Sequence, residues 1–411
     1  MNILYLCHRI PFPPDKGDKI RSFHQIEALG ARHRVHVATF LDSPEDEPHV
    51  ASLRERCAGL TVVRRTRAGS AWGAGVALLT GSSISVGAFA SGSLHRAVEE
   101  TARRTPFDAA FVFSSAMAPY APTGLPRIID FVDVDSEKWR AYADRSRWPQ
   151  RWLYSLEADR LLRHDAEAAS RFDHAIFISD AEAEIFRKRG GGGRITVLSN
   201  GTDTAYYRPP PHPSSGHGIV FVGMMNYPPN VDAVVWFARE ILPIVQRNVP
   251  QATFTIVGRD PSAPVRALDR VPGVRVTGGV PDVRPFLAEA GLAVAPFRVS
   301  RGLQNKILEA MASGLPVVGT PLAFQAIPAT AADGIDLADT AAELATAVSR
   351  RLVDPERAAR GLAARRYVER NHRWAEHGAA LEHLLADSVQ RHQARGVVST
   401  AGARTAGGRS V

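Results

Sequence analysis

Short apolar runs alternate along the chain with stretches in which apolar positions recur every three or four residues. In the first half the runs at 2–7, 35–40, 60–64, 107–113, 127–132, 174–179 and 195–198 have the length and β-branched or aromatic content of buried strands. Ile20, Phe23, Ile26 and Leu29 recur at helical spacing, and residues 148–171 and 180–189 carry longer helical patterns. The rhythm resumes with runs at 219–222, 253–258, 274–279, 292–296 and 315–318. Helical stretches are expected at 303–312, 340–348, 355–371 and 374–385. Strands that alternate with helices predict parallel sheets built from right-handed crossovers, and therefore an α/β fold.

Punctuation divides the pattern in two. A cluster of prolines at 209–213 runs into Ser214, Ser215 and Gly216, the composition of a linker. The organisation expected is a Rossmann-like domain over 1–208, a linker over 209–217 and a second such domain over 218–373. Residues 374–391 form a final helix. From 392 onward small residues and arginines dominate with no acidic residue, and that tail is expected to be disordered.

Composition narrows the classes. The 411 residues are 45% hydrophobic and 22% charged, as in globular proteins that bury a sizeable core. The two cysteines, Cys7 and Cys57, have no ligand or redox spacing and favour a reducing, cytoplasmic compartment. A net charge of +8 suits phosphate-bearing substrates or an anionic membrane face. No nucleic-acid motif accompanies that charge. Residues 68–94 contain no charged side chain but are too rich in Gly and Ser for a membrane span. With Arg64, Arg65 and Arg67 beside them, they are a candidate peripheral membrane-docking segment.

The richest chemistry lies at 301–318, Arg-Gly-Leu-Gln-Asn-Lys-Ile-Leu-Glu-Ala-Met-Ala-Ser-Gly-Leu-Pro-Val-Val. Between two apolar runs, Leu303 to Ala312 is dense in helix formers and Gly314 and Pro316 stop it. Gly302 is placed to turn the chain into this helix, whose start offers unpaired N–H groups and partial positive charge. Lys306 and Glu309 (i, i+3), and Asn305 and Glu309 (i, i+4), share a face. An ammonium, a carboxylate and backbone donors so grouped suit a nucleoside diphosphate. An ordinary amphipathic helix with a surface Lys–Glu pair is the other reading.

The ending Glu309 to Val318, Glu-Ala-Met-Ala-x-Gly-x-Pro-Val-Val, resembles the donor-site helix of family-four glycosyltransferases with the GT-B fold. That resemblance implies two Rossmann-like domains facing a cleft, with the last helix crossing back to the first domain. It implies that Glu309 holds the donor ribose, and that Gly302, Leu303, Gln304, Asn305 and Lys306 hold the diphosphate. The family carries an earlier Glu where this chain has Arg301. The Gly-Leu-Gln-Asn-Lys loop is similar to that of an exopolysaccharide-associated subgroup, with Arg301 facing the donor. The resemblance further implies Gly17 in the first loop near the phosphates, Gly223 and Asn226 after the first strand of the second domain, and Val280 at the base. At the place of Asn226 and its neighbours relatives have an Arg and a Lys, so Lys306 is expected to carry more phosphate charge, with Arg298 or Arg301.

Asp133 and Asp135 end a predicted strand, where ligand-facing groups of open α/β sheets lie. Asp133 is the candidate to orient or deprotonate an acceptor hydroxyl, and Asp135 or Ser136 to cap the next helix. No metal-ligand spacing occurs, and no metal or other cofactor is expected, since the nucleotide sugar is a substrate. The function implied is retaining transfer of a sugar, of hexosyltransferase type, to a lipid-linked saccharide acceptor in cell-surface polysaccharide synthesis. An epimerase on the same fold and a non-catalytic nucleotide-sugar-binding protein are the rivals. A dinucleotide oxidoreductase is disfavoured by the missing Gly-x-Gly-x-x-Gly.

Overall fold

In the computed structural model, which describes residues 1–14, 17–299 and 302–406, the chain forms two compact units. The first comprises residues 1–198 together with 375 onward, and the second comprises 199–374. The first is built on a seven-stranded parallel sheet, β1 (Asn2–Cys7), β2 (Arg34–Leu41), β3 (Gly59–Arg64), β4 (Ala109–Phe113), β5 (Arg127–Val132), β6 (His174–Phe177) and β7 (Ile195–Val197). The second has six parallel strands, β8 (Gly218–Val222), β9 (Thr253–Val257), β10 (Val274–Gly278), β11 (Leu292–Ala295), β12 (Val317–Gly319) and β13 (Ile335–Leu337).

The strand order is β3-β2-β1-β4-β5-β6-β7 in one sheet and β10-β9-β8-β11-β12-β13 in the other. Both are doubly wound: the winding reverses between β1 and β4, and again between β8 and β11. At such a reversal the crossovers leave the sheet in opposite directions and open a crevice at the strand C-termini. Period-two alternation explains why both faces of each sheet are covered. Leu4 and Leu6 pack on one face of the first sheet with Val112 and Phe177, while Ile3, Tyr5 and Cys7 pack on the other.

That other face is covered in part by the last helix, Trp374–Ala406, whose Leu381, Leu384 and Leu385 join Ile26 and Leu29 in the core. A buried polar chain fixes the Gly17–Gly30 helix here. Arg21 Nε and Gln25 Nε2 both donate to Asp130 Oδ2, at 2.8 and 2.7 Å, and the Tyr5 hydroxyl donates to Gln25 Oε1 at 2.6 Å. The Asp130 carboxylate is fully buried, so this pairing replaces the water it has lost.

The division after Leu198 falls ahead of the proline-rich 209–217 segment. Residues 199–217 are bound into the second unit. Thr202 N donates to His372 O at 2.8 Å, and Arg365 donates to Thr204 O and Tyr207 O. Arg357 donates to Ser214 O at 2.7 Å. Past His392, where composition predicts no structure, the last helix continues to Ala406. Alanine and arginine, which recur there, are strong helix formers. Residues 68–94 fold into two helices, Arg67–Thr80 and Ile84–Gly87. Among the described residues no helix is long and apolar enough to cross a membrane.

Candidate functional site

At the reversal point of the second sheet, β11 leads through residues 296–304 into the Asn305–Ala312 helix and then β12. The helix starts at Asn305, three residues later than Gly302. Gly302 takes a left-handed φ of +63°, a conformation that favours glycine and does not continue into the helix. Gln304 occupies the N-cap position with no side-chain capping bond. Ile307, Leu308, Ala310, Met311 and Ala312 are buried, which leaves the remaining face to Lys306 and Glu309.

Lys306 lies over the ends of β8 and β11. Its ammonium is 5.3 Å from the centre of the Phe221 ring and 4.9 Å from that of Phe297, and Nζ donates to Asn230 Oδ1 at 2.6 Å. Asn230, buried in the Pro228–Trp236 helix, donates in turn to Met224 O at 2.9 Å. Gly223 makes room for this pair, because a Cβ there would come within 2.8 Å of Asn230 Nδ2 and 3.4 Å of Lys306 Nζ. Burial pulls the Lys306 ammonium down to about 8, against the opposing pull of Glu309.

Burial likewise raises the Glu309 carboxyl to about 7, although Lys306 and a hydrogen bond from Tyr207 hold it down. The same environment raises the Tyr207 phenol, through burial first and then the neighbouring Glu309. Asn305 is engaged from behind: Asn200 Nδ2 donates to its Oδ1 at 2.9 Å. A half-desolvated cation and a tunable carboxyl on one helix face can bind a diphosphate and a vicinal diol respectively.

The structure thus brings together Gly223, Asn305, Lys306 and Glu309. Gln304 and Leu303 lead into the same helix, with Leu303 packed on the core. Asn226 is exposed in the turn before the Pro228–Trp236 helix. Val280 follows β10, two strands from β8, and packs on the core. Arg298, expected to help Lys306 with phosphate charge, is engaged by another partner in this structure. Its guanidinium is held by both Asp232 oxygens, at 2.5 and 3.1 Å, and lies 5.0 Å over Trp236. Arg301 lies outside the described residues. Sequence reasoning missed Asn230 and Tyr207; the only signal for either was a polar group close in sequence to a predicted strand end or turn.

Gly17 and Asp133 belong to the first unit. Gly17 is the exposed first residue of its helix, beside Asp18. Burial alone would raise Asp18, but His8, Arg9 and the Lys19 N–H hold it well below the usual carboxylate range. The His8 ring stacks on Phe113 at the β1/β4 reversal, 5.9 Å between centres and 6° from parallel. Asp133 follows Val132, whose φ of +69° is strained for a β-branched residue, and Ser114 at the end of β4 is also left-handed at +82°.

Burial raises the Asp133 carboxyl to about 7, helped by Glu182 and Asp135 and opposed by Arg21 and Lys138. Its Oδ1 is buried with no hydrogen-bond partner among the described residues. Neither Asp135 nor Ser136 caps the following helix. Asp135 is already inside the helix as its first residue, and Val134 takes the N-cap position with no side-chain capping bond. Among the described residues no group of three His, Cys, Asp or Glu is placed to hold a metal ion.

Residues 216–354 match the family model for Glycosyl transferases group 1. Sucrose-phosphate synthase from Thermosynechococcus elongatus superposes with a TM-score of 0.68 at 17% identity, covering 94% of this chain and 98% of that one. Anabaena HepE in complex with UDP gives 0.67 at 17%, covering 94% and 100%. WaaG, a glycosyltransferase involved in lipopolysaccharide biosynthesis, gives 0.64 at 18%, covering 93% and 99%. No curated protein sequence matches the chain. The fold is GT-B, two Rossmann-like parallel-sheet domains.

Proposed function

We propose that the protein is a glycosyltransferase that moves a sugar from a nucleoside-diphosphate sugar to a saccharide acceptor. The observation that carries this reading is the Lys306 ammonium, set between Phe221 and Phe297 at the end of β8 and on the same helix face as Glu309. The match of residues 216–354 to a glycosyltransferase model supports it, as does HepE, a neighbour in fold that binds UDP and UDP-glucose.

In this reading the anomeric C–O bond to the diphosphate breaks while the new bond to the acceptor oxygen forms. Negative charge accumulates on the departing phosphate. The acceptor hydroxyl gives up its proton. Lys306 and the uncapped start of the Asn305–Ala312 helix stabilise the departing charge, and Glu309 accepts hydrogen bonds from the ribose. Asp133, assigned to the acceptor, orients the hydroxyl or takes its proton with a carboxyl poised near neutrality.

The finer reading follows the family resemblance. It comprises retention of configuration, no metal or other cofactor, hexosyl transfer, and a lipid-linked acceptor of cell-surface polysaccharide synthesis used at the inner face of the plasma membrane. The test incubates purified protein with a panel of nucleotide sugars, with and without a lipid-linked saccharide. Nucleotide release that depends on acceptor is expected. An isomerised donor without acceptor, or binding without turnover, would replace this reading with an epimerase or a binding protein.

A further inference from the structure

The Arg67–Thr80 helix departs from the rest of the fold. Of its 14 residues only Ala77 is buried. Trp72, Val76 and Leu79, spaced i, i+4, i+7, form an apolar stripe that faces outward, with Trp72 77% and Leu79 88% exposed. Leu78, on another side of the helix, is also exposed. An apolar helix in a water-soluble core ordinarily buries such a stripe.

Here the helix is held by its ends and its backbone instead. Thr66 Oγ1 caps the first turn, accepting from Gly69 N at 3.0 Å. Arg160 donates to the carbonyls of Ala77, Leu78 and Ser82 at the last turn, at 3.1 to 3.4 Å. Gly73 lies against Gly87 of the Ile84–Gly87 helix so closely that a Cβ would come within 2.1 Å of the Gly87 carbonyl oxygen. Glu157 fixes that second helix, accepting from Ile84 N at 2.6 Å and Ser85 N at 2.9 Å. The fold therefore orders this hairpin without using its large apolar side chains.

The sequence that carries the stripe has charge of one sign, and the acidic Glu157 that meets the hairpin is buried beneath it. No acidic residue occurs from Arg56 to Val98. Arg67 at the start of the helix and Arg96 have no ion-pair partner among the described residues. Arg96 lines, with Trp72 and Val76, a groove of about 930 Å³. We infer that this helix is a docking element that lies in the surface of an anionic lipid bilayer, with Trp72 and Leu79 among the acyl chains and Arg67 and Arg96 at the headgroup phosphates.

Two features select a bilayer over a shaped partner. The apolar side chains project from more than one side of the helix, which a fluid solvent accommodates and a single complementary surface does not. At a rise of ~1.5 Å per residue the helix spans only about 21 Å, enough to lie in the interface and too short to cross it. The groove also runs to Ala116 and Tyr120, in the segment that follows β4. Docking there would bring a lipid-borne substrate toward the C-terminal end of the first sheet. That last step rests on the sugar-transfer reading, and docking itself does not.

The experiment is cosedimentation of the full chain with extruded vesicles of phosphatidylcholine alone or with about a third phosphatidylglycerol. The wild type should bind the anionic vesicles at low salt and dissociate as ionic strength rises. Trp72→Ser/Leu79→Ser should weaken binding by about tenfold or more, since both apolar groups leave the bilayer. Arg67→Ala/Arg96→Ala should weaken it less and remove part of the salt dependence. Unchanged thermal unfolding and unchanged UDP binding separate these effects from misfolding, and need no transferase activity. Three results would each overturn the inference. These are wild type that does not sediment with anionic vesicles, the serine variant binding as well as wild type, and a dimer in ultracentrifugation that the serine variant dissociates.

Discussion

At the end of β8 the side chain that meets the sheet is an ammonium, Lys306. At the end of β1 it is an imidazole, His8, stacked on Phe113 and 3.6 Å from the Asp18 carboxylate. The six strands of the second sheet repeat the order of the first six strands of the first, so each opens the same kind of crevice at the same place in its topology. What differs is the charge delivered there. The second unit offers a half-desolvated cation, and the first offers carboxyls, with Asp133 raised toward neutrality by burial. In the proposed sugar-transfer reading, one architecture serves an anion in one unit and a proton acceptor in the other. That division is what a donor with a leaving diphosphate and an acceptor with a reactive hydroxyl require.

The largest effect should come from removing the cation. Lys306→Ala is expected to cost ~3 kcal/mol, about 10²–10³ in turnover, with weaker donor binding. The crevice of the first unit should be untouched. Steady-state kinetics against nucleotide sugar measure this, and turnover near that of the wild type would remove Lys306 from the chemistry. The opposite break is Asp133→Asn, expected to lower acceptor-dependent transfer by about 10² while the donor dissociation constant stays put. A variant that loses donor affinity to the same extent would erase the distinction between the two crevices.

How much of this was legible in the sequence follows from what each feature depends on. Strands β1, β2, β4, β5 and β8 were readable because burial on both faces makes them mostly apolar runs, interrupted by Asp130 in β5 and His36 and Thr39 in β2. The Asn305–Ala312 helix was readable because its glycine, proline and helix formers punctuate it locally. Tyr207 and Asn230 were not, because their partners Glu309 and Lys306 lie far along the chain and only folding brings them together. The division after Leu198 was missed for the same reason: prolines announce a bend, but the bonds of His372 and Arg365 decide which unit the bend belongs to. The exposed Arg67–Thr80 helix was legible as an uncharged stretch and a candidate docking segment, but not as a helix with an outward apolar stripe. Its glycines argued against a membrane span, and the Gly73–Gly87 approach shows two of them packing one helix against the next.

The smallest effect is also the most discriminating, and it concerns pH. Lys306 in the free protein titrates at about 8, below the ordinary 10.5, because burial disfavours its charge. A diphosphate beside it favours the ammonium, so binding above that pH must draw a proton from solvent. Affinity for UDP-glucose should therefore be level just below pH 8 and fall above it, by at most about tenfold per pH unit. On the acid side Glu309, raised to about 7, loses its charge as pH falls, and with it the stronger of its hydrogen bonds to a ribose hydroxyl. UDP-glucose is the better probe because its diphosphate lacks the terminal phosphate proton that titrates near pH 6 in phosphate monoesters. Calorimetric titration from pH 6 to 9.5 should give a shallow maximum between about 7 and 8. Lys306→Met should remove the basic limb and Glu309→Gln the acid one, whereas Asp133→Asn should leave both. Were Asp133→Asn to flatten either limb, the titrating groups of the two crevices would have to be assigned to a single site.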